Sequence, residues 1–252
     1  MVTLLLKKSY LHKDLKEVKF NDLWNGHGIF TTMRVVGHSA RILFYKSHID
    51  NLIKSLAKYN IYKKNLKKNI FQLIKINLKK NKNYDHLLRV ASNNKIISIS
   101  LRKRPKLNSN FKLKMLNYKR VNAKYKNLKY KKILKVLNNL NTKKFDIALY
   151  KNNKILETGT SNLLFIKNTQ IYSPNKDCYK GTTLNFFCKK VKINFKKINI
   201  KDIKNFHEII IIGSGKGVIS VTSVDKILWK RKSFKVFNKL KKIYKLEIEK
   251  II

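Results

Sequence analysis

The stretch ILETGTSNLLFIKN, residues 155–168, decides how the rest of the chain is interpreted. Two apolar runs flank a small polar turn, which is typical of two strands joined tightly. The first run ends in Glu157, however, and a buried carboxylate costs free energy unless something pairs with its charge. We therefore expect Glu157 to face a group that offsets this cost.

The composition indicates a globular protein with a sizeable core. The chain has 252 residues, is 43% hydrophobic and contains 13 Phe and 12 Tyr, which excludes a disordered basic tail. With two Pro and eight Gly there is little room for long linkers. No apolar run reaches the ~18 residues of a membrane span, so we predict no membrane association.

The formal net charge of +46 first suggests nucleic-acid binding. The basic residues are mostly lysines, however, and they run evenly from Lys7 to Lys250 without a dominant patch. Such a distribution is typical of a solvated surface that has drifted toward lysine. We therefore predict no specific nucleic-acid partner, although polyanions should bind non-specifically at low salt.

The two cysteines, Cys178 and Cys188, form no metal-binding pattern, and we predict no metal site. A reducing compartment is the simpler interpretation of so few cysteines. The N-terminal segment has too short an apolar core for a secretory signal. We expect a cytoplasmic protein.

Hydrophobic periodicity predicts a mixture of helices and strands rather than strict alternation. Helices are predicted after residue 44 and over residues 64–81, 130–141, 182–193 and 235–250. Strands are predicted over residues 28–36, 86–92, 95–104, 145–157, 162–166, 171–174, 208–215 and 218–224. The pair Asn152-Asn153 favours a hairpin turn, because asparagine tolerates positive φ.

This pattern predicts an α+β fold in two domains. We place a smaller N-terminal α/β domain at residues 1–112 and a larger C-terminal domain at residues 113–252.

Three short stretches together resemble one binding site for an anionic cofactor. Glu157 ends a strand, Gly181-Thr182-Thr183 begin a predicted helix, and Gly213-Ser214-Gly215 follow a very apolar strand. Backbone N–H groups at a helix start attract anions, and glycines let a ligand approach the backbone closely. Each stretch alone is also compatible with an ordinary cap, turn or hairpin end.

In this order and spacing, Glu157, Asn162 and Gly181-Thr182-Thr183 resemble the signature of the class IV, or fold type IV, pyridoxal-phosphate enzymes. GHGIFTTMRV (26–35) and GSGKGVISVTSVD (213–225) resemble two further signatures of the family. The resemblance implies a branched-chain or D-amino-acid aminotransferase-like fold, pyridoxal 5'-phosphate as the cofactor, and a homodimer. It also implies that Glu157 pairs with the protonated pyridine nitrogen of that cofactor.

The family's cofactor-bearing lysine lies about thirty residues before this glutamate, in a Lys-x-Leu context. Lys126 and Leu128 match that context, and Lys124 is the alternative register. The resemblance implies that this catalytic lysine carries the cofactor and moves a proton.

The implied cofactor-binding residues are Glu157, Thr182, Thr183, Ser214, Gly215 and Asn51. Asn51 is a departure, because the family has at this place an arginine that binds the cofactor phosphate. A neutral amide cannot replace a bidentate guanidinium, so a lysine such as Lys54 has to stand in, or the cofactor binds weakly.

The segment FTTMRV, residues 30–35, is similar to the lyase branch of the family. Thr31 is then expected on the substrate side of the cofactor, in a catalytic role. Arg89, Arg102 and Arg104 are candidates to bind a substrate carboxylate, although each also fits an ordinary solvated strand.

We therefore expect a 4-amino-4-deoxychorismate lyase that acts on a small amino-acid-like substrate and forms 4-aminobenzoate and pyruvate. A branched-chain or D-amino-acid aminotransferase that uses 2-oxoglutarate is the alternative. A third hypothesis is a basic RNA- or membrane-surface-binding protein on a degenerate enzyme fold.

Overall fold

The structure, a computed structural model, describes residues 4–61, 63–79 and 81–252. These residues form two compact units. The first unit holds the chain up to Arg104 together with Tyr125–Lys131 and Ile248–Ile252, and the second holds Pro105–Lys124 and Lys132–Glu247. The sequence placed the division at residue 112, whereas the structure changes units at Arg104 and returns briefly to the first unit at Tyr125.

The first unit is built on a six-stranded sheet in which every neighbouring pair of strands is antiparallel. Its strands are β1 (Leu6–Leu11), β2 (Glu17–Val18), β3 (Ile29–Gly37), β4 (Arg41–Ile42), β5 (Tyr84–Ser92) and β6 (Ile96–Lys103). The strand order is β2-β1-β6-β5-β3-β4. Strand β1 was not predicted, because its sequence LKKSYL has no strict alternation of apolar and polar residues.

Two helices, α1 (Tyr45–Lys58) and α2 (Leu66–Asn77), pack against one face of this sheet. The predicted apolar stripe of α1 is confirmed, since Ile49, Leu52 and Leu56 lie in the core. Because successive strand residues point to opposite faces, the two faces of β3 differ in character. One face carries core residues, and the other carries Phe30, Thr32 and Arg34.

The second unit contains a ten-stranded mixed sheet. Its strands are β7 (Phe111–Asn117), β8 (Phe145–Lys151), β9 (Lys154–Thr158), β10 (Asn162–Lys167), β11 (Gln170–Pro174), β12 (Ile193–Lys196), β13 (Ile198–Asn199), β14 (Glu208–Gly213), β15 (Gly217–Val224) and β16 (Ile227–Lys230). They run in the order β12-β11-β10-β14-β15-β7-β8-β9-β13, and β16 pairs with β15. Three neighbouring pairs are parallel: β11 with β12, β15 with β7, and β7 with β8.

Helices α3 (Lys131–Asn138), α4 (Thr182–Cys188) and α5 (Lys235–Glu249) and a 3-10 helix at Ile200–Asn205 complete the chain. Among the described residues, no helix is long and apolar enough to cross a membrane. The hairpin between β8 and β9 turns at Asn152-Asn153, whose φ angles of 48° and 56° confirm the predicted turn.

The sequence was wrong about two segments of the second unit. The predicted helix over residues 182–193 ends at Cys188, and Ile193–Lys196 instead forms β12 beside β11. No strand was predicted over residues 111–117, but this segment is the strand β7, parallel to both β8 and β15. Pairing with distant strands decides both segments, and a local pattern does not reveal it.

Candidate active site

The residues singled out from the sequence fall in both units. Glu157, Thr182, Thr183, Ser214 and Gly215 belong to the second unit. Lys126, Thr31 and Asn51 belong to the first unit.

Glu157, near the end of β9, is a buried carboxylate with partners on both of its oxygens. The residue is only 4% exposed. Its Oε1 accepts a hydrogen bond from Arg120 Nε at 2.7 Å, and its Oε2 accepts one from the backbone N–H of Tyr179 at 3.1 Å. A charge-assisted bond of this kind offsets much of the cost of burying the carboxylate.

Arg120 is a partner of Glu157 that sequence reasoning did not identify. It is 1% exposed, the largest of the side chains that are almost completely buried, and its Nη2 also donates to the carbonyl of Ala123 at 2.9 Å. The sequence signal that could have pointed to Arg120 is that it is an arginine rather than a lysine. The chain has only seven arginines among its 59 basic residues, so an arginine kept beside so many lysines indicates a need for its planar fork.

Asn162, at the start of β10, holds the same downstream segment that Glu157 contacts. Its Nδ2 donates to the carbonyl of Tyr179 at 2.5 Å, and its Oδ1 accepts from the backbone N–H of Gly181 at 3.1 Å. A Cβ on Gly181 would lie 2.9 Å from this Oδ1, so the glycine permits the close approach.

Thr182 and Thr183 are buried at the start of α4, and the turn between β14 and β15 lies close to them. The hydroxyls of Thr183 and Ser214 are 3.3 Å apart. Gly213 packs tightly on the loop that follows Glu157, because a Cβ there would lie 2.6 Å from Ser161 Oγ. The structure thus brings the three stretches noted in the sequence together within one unit.

In the first unit, Lys126 lies beside β3. Its carbonyl accepts a hydrogen bond from the backbone N–H of Phe30 at 2.9 Å, and its Nζ is 4.9 Å from the centre of the Phe30 ring. Its side chain is half-buried, whereas Lys124 is exposed and belongs to the second unit. Gly28 permits this packing, since a Cβ there would lie 2.7 Å from Leu128 Cδ1.

Thr31 faces the helices rather than the side of the sheet that carries Phe30. Its hydroxyl lies 2.8 Å from His48 Nδ1 of α1, and both residues are buried. Burial and the nearby charge of Lys126 lower the pKa of His48 to about 3, so this imidazole is neutral at physiological pH. The sequence expected Thr31 on the substrate side; its neighbour Thr32 has the side chain on the face of Phe30 instead.

Arg89 of β5 is partly exposed, but two nitrogens of its guanidinium are buried. It lies directly opposite Thr32 in the β3–β5 ladder, so it shares the face of Phe30. Its guanidinium carbon is 3.8 Å from the centre of the Trp24 ring and 5.1 Å from that of Phe30. Within the described residues, Nε and Nη2 are buried and unpaired, and burial lowers the pKa of Arg89 to about 9.

Asn51 lies on α1 and is partly exposed, and its carbonyl accepts a hydrogen bond from Ser55 Oγ at 2.7 Å. Lys54, one turn further, is exposed. The hydrogen bond from Lys67 is the main cause that lowers the pKa of Asp50, and the charge of Lys54 contributes to the same shift.

Comparison with protein families finds one match: residues 28–224 match the model of the family described as amino-transferase class IV. No curated protein matches the chain in sequence. The match covers most of the chain and includes the candidate site residues named above except Trp24.

Solved structures share the fold at low sequence identity. An aminotransferase from Brucella abortus, bound to the cofactor PLP, has a TM-score of 0.76 and 16% identity over 95% of this chain and 98% of that chain. A provisionally assigned 4-amino-4-deoxychorismate lyase from Legionella pneumophila has a TM-score of 0.75 and 18% identity over 91% and 96%. The branched-chain aminotransferase from Escherichia coli has a TM-score of 0.77 and 12% identity over 94% of this chain and 92% of that chain.

The buried pair makes a prediction about stability. Arg120→Met leaves Glu157 buried without its cationic partner and should lower the free energy of unfolding by about 3–5 kcal/mol. Adding Glu157→Gln should recover part of this loss, because the amide is uncharged and can still accept from Tyr179. Urea unfolding measures both, with Lys8→Met, which breaks an exposed pair at 2.5 Å, as the nearly neutral control. A double variant no more stable than Arg120→Met contradicts the interpretation.

The neutral His48 makes a prediction about pH. In the unfolded chain a histidine binds a proton below about pH 6.5, whereas the folded protein resists this down to about pH 3. Stability is therefore fully present above pH 6.5 and falls by about 1.4 kcal/mol per pH unit below it. Urea unfolding of His48→Gln between pH 7 and 5 should show a flatter curve. Parallel curves for the two proteins would contradict a neutral His48.

Proposed function

Because this chain belongs to the class IV aminotransferase family, whose cofactor is pyridoxal phosphate, we propose that it is a lyase that cleaves 4-amino-4-deoxychorismate to 4-aminobenzoate and pyruvate. The observation that carries the proposal is the Arg89 guanidinium beside the Phe30 ring, whose Nε and Nη2 are buried and have no partner among the described residues. We also propose a cytoplasmic homodimer, by analogy with the family alone.

The donor set around Glu157 fits the pyridine nitrogen of the cofactor. When bound, pyridoxal phosphate acts as an electron sink for charge that develops on the carbon next to the substrate nitrogen. An ionised carboxylate offers about four lone-pair sites, and the bonds from Arg120 and Tyr179 use two of them. Glu157 therefore has acceptor capacity left to hold a proton on that nitrogen.

We propose Lys126 as the point of attachment of the cofactor and as the base that moves the substrate proton. Its carbonyl is fixed to Phe30, so its side chain starts from a defined position on the edge of β3. Lys124, the alternative register, is exposed and less suited to a reaction that must exclude water.

The phosphate of the cofactor is proposed to bind the hydroxyls of Thr182, Thr183 and Ser214 and the backbone of Gly215. Thr183 and Ser214 have their hydroxyls 3.3 Å apart, a spacing that lets both donate to one anion. Asn51 contributes at most a neutral amide.

Arg89 supports a substrate with carboxylates. The guanidinium of Arg89 and the amine of Lys126 lie 5.1 and 4.9 Å from the centre of the same Phe30 ring. Both cations therefore lie beside the same ring, and within the described residues two buried nitrogens of Arg89 have no partner, which favours the binding of an anion there. The proposed substrate carries one carboxylate on its cyclohexadiene ring and a second on its enolpyruvyl group, and the aromatic surface of Phe30 and Trp24 suits the ring.

In the proposed reaction, Lys126 takes the proton from the ring carbon that bears the amino group. The bond between the ring and the enolpyruvyl oxygen then breaks, the ring becomes aromatic, and the departing enol gains a proton to become pyruvate. Thr31 contributes indirectly: its hydrogen bond to His48 ties β3 to α1 and so fixes the position of the neighbouring Phe30. The product 4-aminobenzoate is a precursor in folate biosynthesis.

The second candidate function is a branched-chain or D-amino-acid aminotransferase. The same Arg89 favours it, since 2-oxoglutarate has a second carboxylate that needs a cationic partner.

The two candidates are distinguished by pyruvate release. With 4-amino-4-deoxychorismate and pyridoxal phosphate, the lyase should release pyruvate and 4-aminobenzoate in equal amounts without any 2-oxo acid. A coupled lactate dehydrogenase assay measures the pyruvate, and Lys126→Ala is the control. Amino-group exchange that requires 2-oxoglutarate, without pyruvate release, would establish the aminotransferase instead.

Arg89→Met should separate activity from stability. The change removes an unpaired buried charge, so the free energy of unfolding should stay the same or rise. The loss of a charge-assisted bond to substrate should lower kcat/KM roughly 10–100-fold. Steady-state kinetics and urea unfolding measure these, and exposed Arg41→Met should change neither. A variant that loses stability and activity together would assign Arg89 a structural role.

A further inference from the structure

A buried lysine lies in the middle of the glycine-rich turn between β14 and β15. Lys216 is 8% exposed, although a lysine in a hairpin turn ordinarily extends its amine into water. Its Nζ donates to Asp146 Oδ2 and to Thr160 Oγ1, both at 2.9 Å. Thr160 Oγ1 in turn lies 2.9 Å from the same Asp146 oxygen, so the three groups form a closed triangle.

We propose that Lys216 is a positioning residue: held by Asp146 and Thr160, it fixes the turn at residues 213–217 in the conformation that binds the phosphate of the cofactor. The inference rests on the assignment of Ser214 and Gly215 to that phosphate in the proposed function. It concerns no residue that touches substrate.

The first argument is conformational. Gly213, Gly215 and Gly217 make up most of the turn, and Gly217 has a φ of +75°. Glycine has the largest backbone freedom of any residue, so the amides of such a turn have no fixed direction of their own. Lys216 is the long side chain of this turn, and its ion pair ties the middle of the turn to β8.

The second argument is energetic. A buried ion pair contributes little net stability, because desolvation of both charges cancels most of their attraction. Asp146 is completely buried, so the desolvation free energy of this pair is large compared with the stability that it can add to a hairpin. Defining one conformation is the better-supported role for such a pair.

The third argument is connectivity. Thr160 belongs to the loop that follows Glu157, and Ser161 of that loop contacts Gly213 closely. The triangle therefore joins the strand that carries Asp146, the loop after the cofactor-binding glutamate, and the turn that carries Ser214. Because Asp146 neutralises the charge of Lys216, the turn offers fixed dipoles and hydroxyls rather than a free cation.

The test compares the affinity of the protein for pyridoxal phosphate with its affinity for pyridoxal, which lacks the phosphate. Titrations followed by absorbance report each dissociation constant without any substrate. Lys216→Met should weaken pyridoxal phosphate binding by about tenfold or more and pyridoxal binding by less than about threefold, because the loss acts through the phosphate. Asp146→Asn should behave in the same way. Lys119→Met, which removes an exposed pair with Asp177 at 2.8 Å, is the matched control and should change neither.

Thr160→Val keeps the shape and the charges of the triangle, so it provides the answer if the charge variants do not fold. It should shift the ratio of the two affinities in the same direction by a smaller factor. Equal losses for both ligands, or no loss for either, overturn the proposal. Equal affinity of the unaltered protein for both ligands overturns it as well. Since no substrate is present, failure of the lyase reaction leaves this result unaffected.

Discussion

The ion pair between Arg120 and Glu157 is the contact on which the arrangement of the second unit depends. An unpaired carboxylate at this depth would cost several kcal/mol, yet the proposed function requires one there to bind a protonated nitrogen. Arg120 resolves this conflict with a single bond from Nε and uses its Nη2 to hold the carbonyl of Ala123. One guanidinium therefore stabilises the charge and also fixes the chain just before the segment that contains Lys126.

The sequence predicted those elements whose pattern is local. The hairpin at Asn152-Asn153 and the apolar stripe of α1 follow from residues close together in the chain. Strand β7 and the early end of α4 could not be predicted, because they depend on parallel pairing with other strands: β7 pairs with β15, and the residues after α4 form β12 beside β11. Arg120 and Lys216 were missed for a related reason: among 59 basic residues the sequence does not reveal which are buried, and the rarity of arginine marks Arg120 only as one of seven candidates.

Arg120 and the partly exposed Arg89 illustrate the same limit. Arg120 is satisfied by the protein itself, whereas Arg89 stacks on Trp24 and leaves Nε and Nη2 without partners in the described part of the chain. A protein tolerates an unpaired buried cation only at some cost to its own stability. Such a cost is more readily understood at a binding site, where a ligand supplies the missing anion, than in a purely structural core.

The segment Tyr125–Lys131 has a consequence for how the chain folds during synthesis. It belongs to the first unit although the twenty residues before it belong to the second, and Phe30 donates its backbone N–H to Lys126 within that unit. When Arg104 leaves the ribosome, the β3 edge still lacks this partner. Synthesis adds about 5–20 residues per second, so the edge of β3 stays unpaired for a time on the order of seconds. During this time its backbone amides can pair with other strands, including those of neighbouring nascent chains.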